Sequence, residues 1–174
     1  GHISFYDFGS TDSVLNNSIF YDTASHATQL QSDSPLKVDN TQILNAGGSG
    51  IYSYRGRLLI FNSQIINSST SGIYHRGITS DENITVYNTF FNNTDNVMLY
   101  ADGFADYFNT TKSVGTRIYS QGTQIGGNFW ATPTGTGFSE TCADIDQDGF
   151  CDSTYDVDND QSCTFGVDCS DSVD

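Results

Sequence analysis

Positive charge is what this chain most lacks. Of its 174 residues six are Lys or Arg against 21 Asp or Glu, giving a formal net charge of −15 at pH 7. Arg117 is the last cation, whereas eleven of the 21 acidic residues fall between Glu140 and Asp174. Nothing here could neutralise a run of phosphates or hold to an anionic bilayer surface, which excludes nucleic acid and such membranes as partners. No apolar run is long enough to cross a membrane, so membrane insertion is not expected. Proline and glutamate occur only twice each, and no stretch keeps a 3.6-residue apolar period, so helices should be almost absent.

Cysteine is missing from the body and concentrated at the end, as Cys142, Cys151, Cys163 and Cys169. The intervening 8, 11 and 5 residues do not form the paired C-x-x-C knuckles of a zinc ribbon. An even count reads instead as two disulfides in an oxidising compartment. Three connectivities are possible; Cys142–Cys151 with Cys163–Cys169 is favoured because short loops close cheaply. Five N-x-[ST] sequons, at Asn16, Asn67, Asn83, Asn92 and Asn109, point the same way, to a secreted or cell-surface glycoprotein. The chain opens on GHISFYDF, which is expected of a processed protein or a piece of a longer parent chain.

What the sequence does have is a repeat. SVLNNSIFYD from Ser13, LKVDNTQILN from Leu36, LLIFNSQIIN from Leu58 and NITVYNTFFNN from Asn83 align with one another. Asn17, Asn40, Asn62 and Asn88 share one column, spaced by 23, 22 and 26 residues, and Asn45, Asn67 and Asn93 share a second. After these come GIYSYRG from Gly50, GIYHRG from Gly72 and the looser VMLYADG from Val97. Short β-rich runs with alternating apolar residues, separated by Gly, Asn and Ser at a period near 22 residues, predict a β-solenoid. The Asn columns are expected to form amide ladders, at least one of them internal, because each amide offers two donors and an acceptor to the turn backbone. A ladder role for Asn67 would leave its sequon unable to carry a sugar.

These motifs resemble right-handed parallel β-helix repeat proteins, among them the carbohydrate-binding and sugar-hydrolase group and the nitrous-oxide-reductase maturation proteins. The run GNFWATPTGTGF…DIDQDGFCDSTYDVD is similar to the G-N-Y-W…D-x-D-G-D-G element that closes the helix in surface proteins of that group. Phe129 stands where Tyr is usual, and Ser153-Thr154 where a proline precedes the aromatic. The resemblance implies an all-β, right-handed parallel β-helix of four to five coils over residues 1–125, with residues 1–12 as an N-terminal edge or donor strand. Residues 126–174 would form an irregular cap, with Phe129 and Trp130 over the last coil.

The cap's aspartates follow a metal spacing of their own. Asp144, Asp146 and Asp148 stand at loop positions 1, 3 and 5, the Phe150 carbonyl at 7 and Asp152 at 9, with Gly149 at the sharp turn. Position 12 is Tyr155 rather than a bidentate Glu, so this reads as a Ca²⁺ loop without an EF-hand.

Catalysis is a weaker reading. Hydrolysis would need two facing carboxylates, and outside the cap only Asp81, Glu82, Asp95, Asp102 and Asp106 are candidates. His2, His26, His75 and Met98 would suit copper by residue type but lack ligand spacing. Tyr52, Tyr54, Tyr74 and Tyr100 form an aromatic stripe that could stack sugars or simply pack. The expected role is therefore structural: a calcium-stabilised subunit of a cell-surface layer or filament, self-associating head to tail. The alternative is a carbohydrate-binding domain using Tyr52, Tyr74 and Tyr100, or a polysaccharide lyase or glycoside hydrolase.

Overall fold

A computed structural model describes residues 3–5, 12–31, 33–79, 81–100, 105–120 and 123–141, with the strand pair 151–152 and 167–168. The elements begin with β1 (Ile3–Phe5), β2 (Ser13–Asn16), β3 (Ile19–Thr23) and β4 (Thr28–Leu30). The same trio recurs as β5 (Leu36–Asp39), β6 (Gln42–Ala46) and β7 (Ile51–Ser53), then β8 (Leu58–Phe61), β9 (Gln64–Ile66) and β10 (Ile73–His75). It recurs again as β11 (Ile84–Tyr87), β12 (Phe90–Asn92) and β13 (Val97–Leu99). β14 (Ser113–Val114) and β15 (Gln124–Ile125) pair antiparallel, and β16 (Phe129–Ala131) returns to the stack. A short α1 (Phe138–Thr141) follows, then β17 (Cys151–Asp152) and β18 (Val167–Asp168), which pair with each other.

Three parallel sheets form the walls, in the orders β1-β4-β7-β10-β13, β11-β8-β5-β2 and β16-β12-β9-β6-β3. Each coil contributes one strand to each wall, and four complete coils stack in register. This is the all-β parallel β-helix that the repeat predicts.

Alternation along each strand sends every second side chain inward. Leu15, Val38, Ile60 and Val86 therefore stack as one internal column. Phe20, Ile43, Ile65, Phe91 and Trp130 form another, its last step a Phe91–Trp130 stack with centroids 4.6 Å apart. Trp130 thus closes the apolar core, as its place after the repeats suggests. Each fully buried Ile or Leu contributes about 1.5–3 kcal/mol relative to exposure.

The asparagines make the corners. Asn17, Asn40, Asn62 and Asn88, and in the next corner Asp22, Asn45 and Asn67, all have positive φ between 46° and 58°. Asn tolerates this left-handed region better than most residues. The amides then climb from coil to coil: Asn45 Nδ2 donates to Asp22 at 2.9 Å, Asn67 to Asn45 at 2.8 Å and Asn88 to Asn62 at 2.7 Å. Asn62 itself reaches Asp39 at 3.0 Å. Most of this ladder faces outward, and only Asn88 and Asn93 are fully buried. Asn93 departs from its column by turning inward, accepting from Ser68 N and donating to the Ile65 carbonyl. The Ser or Thr after the first-corner Asn also bonds locally: Ser18, Thr41, Ser63 and Thr89 each donate to the carbonyl two residues earlier.

Gly50 and Gly72 of the G-I-Y motif have a packing reason. A β-carbon on Gly50 would sit 2.7 Å from the Gly72 carbonyl, and one on Gly72 would sit 2.6 Å from the Asn96 carbonyl. The coils approach too closely there for any side chain.

Asn62→Ala is expected to lose about 1–3 kcal/mol, because it removes two ladder bonds, one to Asp39 and one from Asn88, and keeps a β-carbon in left-handed geometry. Asn62→Gly loses the same bonds but should be about 1 kcal/mol less destabilised, because glycine adopts the left-handed geometry without strain. Thermal unfolding of both variants checks the order, and equal losses would remove the left-handed turn from the explanation.

Candidate functional site

The outer face of the five-stranded wall carries the richest chemistry. Register places Gln29, Tyr52, Tyr74 and Met98 in one outward column. Tyr54, Arg76 and Tyr100 follow in the next, their backbone amides donating to the carbonyls of Leu30, Ser53 and His75. His26 stacks on Tyr52 at 4.5 Å, Tyr52 on Tyr74 at 5.0 Å with planes 6° apart, and Tyr74 on Tyr100 at 6.4 Å. Strand spacing thus turns these rings toward one another. The faces of Tyr52 and Tyr74 are covered, and what they offer solvent is edges and hydroxyls. Tyr100 is the most open, 64% exposed.

Arg76 sits in the middle of the second column. Its guanidinium carbon lies 4.9 Å from the Tyr54 centroid and 5.0 Å from that of Tyr100, a cation–π sandwich. Beside it, a cleft of about 430 Å³ is lined by Asp33, Arg55, Ile78, Thr79, Asp81 and Glu82. Arg55 pairs with Asp33 at 3.6 Å, while its Nε is buried without a partner. Glu82 was expected to share a solvated turn with Asp81, yet it is 7% exposed. Its carboxylate accepts from the amides of Ile78 and Thr79, which makes it a turn clamp that sequence spacing did not reveal. Asp106 similarly accepts from Ile84 N at 2.9 Å. Asp81 and Asp95 are exposed, and Asp102 lies outside the described residues.

The histidines do not converge. His26 stacks outside the wall, its Nδ1 accepting from Ser49 N at 2.9 Å. His75 points inward, 3% exposed, with Nε2 donating to the Glu82 carbonyl at 2.7 Å. Met98 lies on the outer column next to Tyr74. His2 lies outside the described residues.

Of the sequons, Asn16 and Asn109 are exposed, and Asn83 and Asn92 are half-buried. Asn67 uses its amide in the ladder. Asp144, Asp146, Asp148 and Phe150, with Cys142, Cys163 and Cys169, lie outside the described residues. Cys151 and Asp152 are described only as the backbone of β17.

Parallel strands stacked coil on coil, with an internal apolar column and external ladders, define a parallel β-helix repeat protein. The family model for the periplasmic copper-binding protein NosD matches residues 5–135, and the chain belongs to that family. No curated protein and no solved structure matches it. The family's description names copper, which overturns the expectation of Ca²⁺ as the cofactor. Copper in turn finds no fitting ligand set in the part described. Among the described residues no group of three or more His, Cys, Asp and Glu could hold a metal ion, and the match ends before the first cysteine. The periplasmic description agrees with a place outside the cytoplasm. Among the described residues no helix is long and apolar enough to cross a membrane.

The stacked rings carry a pH signature. Burial raises the Tyr74 hydroxyl above its ordinary value, with Tyr52 and Tyr100 adding to the rise and Arg76 opposing it. Burial, then Asp39, raises Tyr87. Both groups favour the protonated state in the fold. Their contribution to stability is complete below the ordinary tyrosine value of 10.0 and is lost as pH climbs through the raised folded values. Chemical denaturation should therefore show stability falling on the alkaline side of that value, and Tyr74→Phe should flatten the fall. A variant with the parent's alkaline slope would mean that Tyr74 is not coupled to folding.

Proposed function

We propose that this protein is a non-catalytic structural β-helix of the cell exterior, acting through the surfaces it presents rather than through a reaction. The fate of the carboxylates carries this reading. Outside the cap, Glu82 and Asp106 accept from backbone amides and Asp33 pairs with Arg55, which leaves Asp81 and Asp95 as the exposed acids among the described candidates. Glu140 does the same for the last coil, accepting from Thr132 N and Gly137 N. Of the acids lining the cleft, Glu82 is held by backbone amides and Asp33 by Arg55, which leaves Asp81 alone there for a hydrolysis that would need an acid and a base or nucleophile at a set separation. Incubation with a panel of neutral and acidic polysaccharides should release neither reducing ends nor unsaturated uronate products. Turnover abolished by Asp81→Asn would contradict the proposal.

Self-association is part of the same reading. β2 and β3 are the outermost strands of their sheets. Val14, Ile19 and Tyr21 on that coil are 58%, 69% and 60% exposed. An open edge of this kind pairs with another copy or with a coil of a longer parent chain. The opposite end differs, because Ser139 Oγ and the Glu140 carboxylate of α1 take up the amides of Trp130 and Thr132. The exposed coil of β2 and β3 supports pairing with a second copy. Light scattering should report a dimer, and charge substitutions at Ile19 and Tyr21 should return it to monomer. Persistent monomer in the parent protein would remove self-association from the role.

Secretion with glycosylation is the remaining element. In a glycosylating host, peptide mass spectrometry should find sugar at Asn16 and Asn109 and none at Asn67, whose amide bonds Asn45. Occupancy at Asn67 would contradict the ladder's persistence during folding.

A further inference from the structure

Three of the six cations in the chain, Arg55, Arg57 and Arg76, gather where the five-stranded wall turns into the next sheet. In a chain of net charge −15 that concentration has few structural excuses. Arg76 is the most constrained of the three. Tyr54 and Tyr100, one strand level below and above, cover the two faces of its guanidinium at 4.9 and 5.0 Å. Only the N–H edge remains for a ligand. The one ion pair among the described residues is Arg55 with Asp33, so no described carboxylate neutralises Arg76. A guanidinium held flat between rings with its edge unpaired matches a planar carboxylate, which can accept two parallel N–H bonds.

The neighbouring cleft adds the rest of the ligand's chemistry. Chain continuity joins it to the sandwich, because Arg55 follows Tyr54, and Ile78 and Thr79 follow Arg76 closely. It offers the exposed carboxylate of Asp81, which can only accept, the Thr79 hydroxyl, and the guanidinium of Arg55, whose charge Asp33 shares at 3.6 Å. On the other flank stand the hydroxyl edges of Tyr52 and Tyr74. A ligand matching both halves must present a carboxylate to Arg76 and hydroxyl donors to Asp81. A simple anion would have no answer to Asp81, and a neutral sugar would leave Arg76 unpaired.

We propose that this corner binds a carboxylated saccharide, with the uronate carboxylate on Arg76 and the hydroxyls of the adjoining ring in the Asp81–Thr79–Arg55 cleft. The site goes beyond the scaffold role and does not depend on it: cleavage of the ligand would overturn that role and leave this binding intact. Rings are not required to stack on sugar faces here, since the tyrosines are turned toward one another. Their hydroxyl edges supply polar contacts instead.

Calorimetric titration with a glucuronate-containing tetrasaccharide and its carboxyl-reduced counterpart tests the assignment. The acid form should bind about tenfold or more tightly than the reduced form at low salt, the value of one charge-assisted pair. Arg76→Gln should erase that preference, and Arg76→Lys, which keeps the charge but not the fork, should retain part of it. Thermal unfolding of each variant verifies that it is folded. Should Arg76→Gln not fold, the parent protein's own discrimination between the two saccharides, and its weakening in high salt, still decides. Equal affinity for both forms would overturn the carboxylate assignment while leaving saccharide binding in place. Binding of neither would overturn the site altogether.

Discussion

Each coil hydrogen-bonds to the next at equivalent positions, so a side chain chosen at one level meets its counterpart one strand spacing, about 4.8 Å, away. That constraint decides which residues the repeat can use. Apolar side chains stack into continuous core columns, amides bond amides of their own kind, and aromatic rings lie face to face. The Phe61–Tyr87 pair, 5.1 Å apart with planes 3° from parallel, shows how closely rings obey it. The left-handed corners belong to the same logic, since an Asn placed there turns the chain and bonds its counterpart in the next coil.

Like charges are the one class that such stacking punishes, because a charge repeated at strand spacing meets itself. The outer columns respect this. Lys37 stands between Val14 and Leu59, and Asp39 between Asn16 and Phe61. Lys37 also lies over the Phe61 ring at 4.9 Å. Arg76 fits the pattern at one further remove, as a single cation held between two tyrosines. The scarcity of cations that first marks the sequence is in part a property of the architecture, and the few that remain are informative for that reason.

The coil columns were legible from residue types alone because the repeat period survives in the sequence: Val38, Ile60 and Val86 line up on the page as they do in the wall. The Asn columns were legible as amide ladders, although the left-handed turns they make and their mostly outward placement were not. Ring orientation in the tyrosine stripe could not be read, since composition says nothing about which way a face points. Arg55 and Arg76 look one residue out of register in the aligned motifs. That offset is what sets Arg76 level with Tyr54 and Tyr100. Glu82 was misjudged as solvated because its partners, the amides of Ile78 and Thr79, carry no side-chain signature. The calcium assignment rested on aspartate spacing alone, and spacing did not outweigh the family's description.

Corners and walls form one cooperative stack, with turn amides bonded between coils as strand amides are. Hydrogen exchange read at single residues tests this. The amides of Asn17, Asn40 and Asn67 donate to the carbonyls of Asp39, Phe61 and Asn92 on the following coil. They should therefore exchange as slowly as the strand amides of β5 and β8. Corner amides that exchange rapidly while the strands stay protected would contradict it, leaving three sheets joined by independent loops.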